Sequence, residues 1–180
     1  MSERDAILGA LPEGDSTRLL LGFWHHGASK AEARLWTLFE QMVSPLGGRM
    51  IGASDLERLV GKPVLIDEDA MPFVAGLPWL IAADPWSAEV GVTTADLAVA
   101  ETGSLLLSAG PGKQRLASLT PWTHICIVES SAIVETLAEA VERMDPRTSV
   151  FVTGASRTAD IEGVLVQGVH GPRELLVLKV

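Results

Sequence analysis

The 180-residue chain carries 14 Lys and Arg against 23 Asp and Glu, for a formal net charge of −9, and 47% of its residues are hydrophobic. That length suits one domain whose core needs no disulfide or metal staple. The acidic balance, without a basic run, offers no electrostatic footprint for nucleic acid, and the single cysteine, Cys126, allows neither an internal disulfide nor a four-thiolate iron–sulfur cluster.

The opening Met-Ser-Glu-Arg-Asp lacks the apolar core of a signal peptide, so a cytoplasmic location is expected. No apolar run approaches the ~18 residues that a membrane span requires. Residues 1–28 read as a short helix and a loop. Ser29-Lys-Ala-Glu32 is a capping box, and Leu35, Leu38, Phe39, Met42 and Val43 then recur at helical spacing until Pro45 and Gly47 stop the helix. A second capping box at Ser54–Glu57 predicts a shorter helix ending at Gly61. A third helix is predicted after Ser131, with Ile133, Leu137, Val141 and Met144 on one face. Strands are predicted at Val64–Ile66, Trp79–Ile81, Asp96–Ala100, Ser104–Ser108, Ile125–Val128, Val150–Thr153 and Leu175–Val180. Several are continuously apolar, as strands covered on both faces are. Glu101-Thr-Gly103 joins two of them as a hairpin turn, with Gly103 at positive φ. The alternation gives an α/β fold with an open, mainly parallel sheet flanked by helices.

The chain also contains partial motifs. Gly110-Pro-Gly-Lys-Gln-Arg115 fails as a phosphate loop, because Leu107 and Gln114 stand where the first Gly and the Ser or Thr belong. It reads either as a solvated turn or as a loop whose Lys113 and Arg115 touch an anion. His25 and His26 point apart, and His124 sits beside a strand, so no metal site is expected. Cys126, within an apolar run, reads as a small core residue.

In Phe151–Glu162 a strand runs into Gly154, and Ser156 or Thr158 is read as the cap of a helix carrying Ile161, Val164 and Leu165. That reading puts Ser156, Arg157 and Thr158 around a small carboxylate or phosphate, unless Asp160 and Glu162 satisfy the helix terminus themselves. His170, in Gly168-Val-His-Gly-Pro-Arg173, is placed for acid–base work or is an ordinary loop residue.

Glu101-Thr-Gly-Ser104, Pro111-Gly112, Ser118-Leu119, Pro121, His124, Ser156–Glu162 and Gly168–Pro172 together resemble the lactate utilization protein C family, the LUD domain. The resemblance runs from about Gly91 to Val180. It implies one LUD-type domain over residues 1–180, with a fold like that of ribose-5-phosphate isomerases and CoA-transferases. It also implies a part in oxidising L-lactate to pyruvate beside iron–sulfur partner proteins, with no cofactor of the chain's own. Three roles follow as expectations: an accessory or ligand-binding subunit of that system, a self-sufficient isomerase- or transferase-type enzyme, or a carboxylate- or phosphate-sensing module. In the enzyme reading Glu101 is the base or nucleophile and His170 the second catalytic group. The ligand contacts expected are Thr102, Gly103, Lys113, Arg115, Ser156, Arg157, Thr158 and Arg173. The loops around Glu101, Ser156–Thr158 and His170–Arg173 are expected to meet at one end of the sheet, where α/β domains bind ligands.

Overall fold

A computed structural model describes residues 29–145, 148–159 and 165–180. The readings of residues 1–28, Asp160, Ile161, Glu162 and Val164 fall outside them. Helix α1 (Lys30–Val43) starts at the expected box: the Glu32 N–H donates to Ser29 Oγ at 3.2 Å, and the Ser29 N–H donates to Glu32 Oε2 at 2.6 Å. Its buried stripe is Trp36, Phe39 and Val43, whereas Met42 is exposed. Trp36 turns inward because its indole N–H reaches the Ser130 carbonyl, at 2.9 Å.

Six strands form one wholly parallel sheet: β1 (Gly48–Ile51), β2 (Pro63–Ile66), β3 (Leu80–Ile81), β4 (Val90–Thr94), β7 (Thr123–Val128) and β12 (Glu174–Lys179), in the order β1-β12-β7-β4-β2-β3. Side chains of β7 and β12 alternate between two apolar layers, so β7 is buried throughout and β12 from Leu175 to Leu178. Cys126, Val128, Leu175 and Val177 pack against α1 and a second sheet. Ile125, Ile127, Leu176 and Leu178 face the other layer, against Leu56 of α2 (Ala53–Glu57) and Val74 of α3 (Met71–Val74).

That second sheet has four strands in the order β8-β5-β6-β9: β5 (Leu97–Val99), β6 (Ser104–Ser108), β8 (Ile133–Val134) and β9 (Ser149–Val152). β5 and β6 form the expected hairpin, with Gly103 at φ +65°. A short antiparallel pair, β10 (Arg157–Ala159) and β11 (Leu165–Gln167), completes the description.

Three sequence expectations are corrected. The third helix does not begin after Ser131: Ile133 and Val134, both β-branched, pair with Ala98 and Val99, and helix α4 spans only Leu137–Arg143 behind a Thr136 cap. It buries Ala140 and leaves Leu137 and Val141 exposed. The second helix is capped at its start by Asp55, which accepts the Gly52 N–H at 3.0 Å, rather than by Ser54, and it ends at Glu57 rather than at Gly61. Ser156 and Thr158 cap no helix, since Arg157–Ala159 is a strand in which Thr158 pairs with Val166. Backbone pairing wins there because the Ser156 N–H and C=O are both taken, by Pro172 O and by the Gly168 N–H, each at 2.8 Å. The strands Gly48–Ile51 and Val90–Thr94 were not anticipated. Both are short, and Gly48 and Gly91 weaken their strand signature.

Candidate functional site

In a parallel sheet the loops that follow the carboxyl ends of the strands lie together. Here Asp67 follows β2, Ala95 and Asp96 follow β4, and Glu129 follows β7. Beside them lies a cavity of about 330 Å³, lined by Asp69, Thr94, Asp96, Lys113 and Glu129 with Phe73 and Ile127 as its apolar wall. The chain leaves the main sheet at this point: the Ala95 N–H still bonds Ile127 O, and the Asp96 N–H already bonds Leu106 O in the second sheet.

Lys113 reaches the cavity from the Gly110–Gln114 loop. Gly110 and Lys113 exchange backbone hydrogen bonds across Pro111 and Gly112, and Gly112 takes φ +76°, the left-handed conformation such a Pro-Gly turn needs. The loop is tied to β2 by the Glu68 N–H to Gly112 O (2.9 Å) and the Gln114 N–H to Asp67 Oδ1 (2.8 Å). Lys113 Nζ lies 2.9 Å from Asp96 Oδ1 and 3.4 Å from Asp69 Oδ2. Burial works against its charge, but Asp96 and Asp69 outweigh that and hold its pKa above the ordinary lysine value. Burial pushes the Asp67 carboxyl up to about 6, against the pull of the Gln114 N–H. Behind this layer Thr93, His124 and Cys126 share hydrogen bonds, and burial lowers the His124 pKa to about 4 and raises that of the Cys126 thiol to about 12. Cys126 is thus a core residue, as its apolar run implied.

The sequence-derived site residues fall in three places. Lys113 is in the cavity, and Arg115 opens the 3-10 turn Arg115–Ser118 on the same loop. Glu101, Thr102 and Gly103 occupy the β5–β6 turn. The Glu101 carboxylate accepts the Leu137 N–H at the start of α4, and the Thr102 hydroxyl donates to Ser104 Oγ at 2.8 Å. Ser156–Thr158 and His170–Arg173 come together at the opposite, amino ends of the parallel strands, since Arg173 immediately precedes β12. A Cβ on Gly171 would lie 3.2 Å from Ser156 Oγ. The Arg157 guanidinium donates to Pro45 O at 2.8 Å, and that of Arg173 stacks 4.0 Å from the Trp122 ring centroid. Neither arginine has a carboxylate partner among the described residues, and His170 is exposed.

Sequence reasoning missed Asp67, Asp69, Asp96 and Glu129 as members of a site. The available signal was an acidic residue directly after two short β-type runs, Asp67 after Val64–Ile66 and Glu129 after Ile125–Val128. Among the described residues no cluster of His, Cys, Asp and Glu could hold a metal ion, and no helix is long and apolar enough to cross a membrane.

The LUD domain family model matches residues 84–180, more than half of the chain. Lactate utilization protein C of Macrococcus caseolyticus is 43% identical over 94 residues, which are 47% of this chain and 41% of that protein. The protein of the same name from Deinococcus radiodurans is 39% identical over 128 residues, 67% of this chain and 56% of that one. The chain therefore spans about half the length of these curated relatives. A crystal structure of a DUF162 family protein from Deinococcus radiodurans superposes with a TM-score of 0.59 at 22% identity, covering 86% of this chain and 99% of that one, a likeness of fold.

Proposed function

Since the chain belongs to the LUD domain family, we propose that it is an accessory, ligand-binding component of an L-lactate to pyruvate oxidation system, acting in the cytoplasm beside iron–sulfur proteins that carry the electrons. The name shared by its relatives supports the pathway. One cysteine gives the chain no means of building its own four-thiolate cluster, which leaves electron transfer to a partner. Kinship with the isomerase and CoA-transferase fold belongs to the same proposal.

The observation that carries the ligand-binding part is the meeting of the Ser156 and Gly171 segments. Arg157, His170 and Arg173 lie within or next to these two segments, in an otherwise acidic chain. There a small carboxylate or phosphate meets two guanidinium groups, with the hydroxyls of Ser156 and Thr158 to orient it. Glu101 suits the enzyme reading less well, because its carboxylate already caps α4.

The test is reconstitution. The isolated chain should reduce no dye with L-lactate, and a mixture with a cluster-bearing partner protein should lose lactate oxidation when this chain is left out. Lactate-dependent dye reduction by the chain alone would refute the accessory role.

A further inference from the structure

The cavity beyond β2, β4 and β7 differs in charge from the arginine-bearing end. Three carboxylates, Asp69, Asp96 and Glu129, border it, and its one ammonium, Lys113, is engaged by two of them at 2.9 and 3.4 Å. An entering carboxylate would face a net negative wall whose cation is already committed, and like charges placed together disfavour binding strongly. Two atoms supply an independent indication. Asp96 Oδ2 and Thr94 Oγ1 are buried on residues that line the cavity, and neither has a hydrogen-bond partner among the described residues. Native proteins rarely leave such atoms unsatisfied. What the wall lacks is a donor, and the acidic groups are not grouped as metal ligands among the described residues.

We propose that this cavity is a second binding site, distinct from the Arg157–Arg173 surface, for a small organic molecule bearing an ammonium group or several N–H and O–H donors, and that it rejects free carboxylates. The ammonium sits between Glu129 and Asp69, and a hydroxyl or amide N–H turns towards Asp96 and Thr94. Phe73 and Ile127 take the apolar part of the ligand. The volume of about 330 Å³ admits a molecule well above the size of lactate.

Three probes of equal heavy-atom count separate charge from shape: L-lactate, its neutral amide L-lactamide, and the cationic L-alaninamide. Each is titrated into the full chain while backbone amide NMR signals are followed. L-alaninamide should shift Asp69, Asp96, Lys113 and Glu129 saturably, with a Kd at least about tenfold below that of L-lactate at the same residues. L-lactamide should fall between them. Glu129→Gln and Asp69→Asn, both at exposed side chains that leave the fold intact, should each narrow the alaninamide–lactate ratio by about threefold. Saturable lactate binding at these residues that equals or exceeds alaninamide binding overturns the proposal. So does failure of both L-alaninamide and ethanolamine to saturate the cavity. Neither result touches the accessory role, which the reconstitution decides separately.

Discussion

Thr93 Oγ1 lies 2.8 Å from His124 Nε2, in the buried layer between β4 and β7. The same hydroxyl donates to Cys126 Sγ at 3.7 Å, an arrangement that the Nε2–H tautomer of His124, donating to Thr93, completes. In that tautomer His124 Nδ1 is a bare acceptor with no partner among the described residues, and protonating it would bury an uncompensated charge.

His124 and Asp67 should therefore drive stability in opposite directions with pH. The His124 pKa falls from 6.5 to about 4 on folding, so the unfolded chain binds the extra proton and stability rises with pH between about 4 and 6.5. The Asp67 pKa rises from 3.8 to about 6, so the folded chain binds the extra proton and stability falls as pH climbs through that range. Each effect is worth at most about 3 kcal/mol, and that of Asp67 about 1–3 kcal/mol after solvent screening. The wild-type profile should thus be nearly flat from pH 4 to 6. Asp67→Asn, which keeps the acceptor for the Gln114 N–H, should be more stable than wild type at pH 7.5 and show a rising profile; His124→Gln should show a falling one. Urea midpoints across pH 4–7.5 check both, and parallel profiles for the two variants would contradict the assignment.

Cys126 should be chemically silent in the folded chain. Its thiol is fully buried and held near pKa 12, so almost no thiolate forms at pH 8. A thiol reagent should label one equivalent in denaturant and essentially none in buffer over the same minutes. Prompt labelling of the native chain would show that β7 is not buried as described.

Gly91 should tolerate no side chain. A Cβ there would lie 1.8 Å from Ala117 O and 2.8 Å from the Pro121 ring, where the 3-10 turn crosses β4. The obstacle at Ala117 is backbone, so Gly91→Ala must push the turn away and should cost at least the 1–3 kcal/mol typical of overpacking. Chemical denaturation measures this. Because the turn carries the Lys113 loop, the shift should also disturb the cavity, visible as altered amide signals at Lys113 and Gln114.

The α/β class and the α1 cap were legible in the sequence because local chemistry dictates them: Ser29 and Glu32 satisfy orphan N–H groups wherever they occur at that spacing. Gly103 was legible for the same reason. Ile133 and Ser156 were misread because their neighbours in space decided their conformation. Ile133 has helical spacing to Leu137, yet an open edge at Ala98 offered it a strand. Ser156 follows Gly154 like a helix cap, but the 168–172 loop captured its backbone. The acidic cavity was invisible for a related reason. Asp69, Asp96 and Glu129 are far apart in sequence and meet only because the segments that follow three neighbouring parallel strands lie side by side.

The arginine-bearing end gives the remaining test, with inorganic phosphate as probe. Arg157 contacts the Pro45 carbonyl and Arg173 the face of Trp122, neither of which neutralises a guanidinium, and no carboxylate pairs with either among the described residues. A hydrogen bond to a charged group is worth about 1.5–3 kcal/mol, so Arg157→Ala or Arg173→Ala should weaken phosphate binding by roughly ten- to a hundredfold. The two differ in their effect on the fold. Arg173→Ala forfeits the stack on Trp122 and should cost about 0.5–1 kcal/mol of stability, while Arg157→Ala loses one exposed bond to a carbonyl and should cost about 0.5–1.5 kcal/mol. A lysine at 173 keeps the charge but not the planar fork, so it should restore stability more fully than affinity. Calorimetric titration with phosphate and thermal melts of the three variants measure both quantities. If phosphate affinity is unchanged in both alanine variants, the loops meet there for structural reasons alone, and the anion reading of Ser156, Arg157, Thr158 and Arg173 fails.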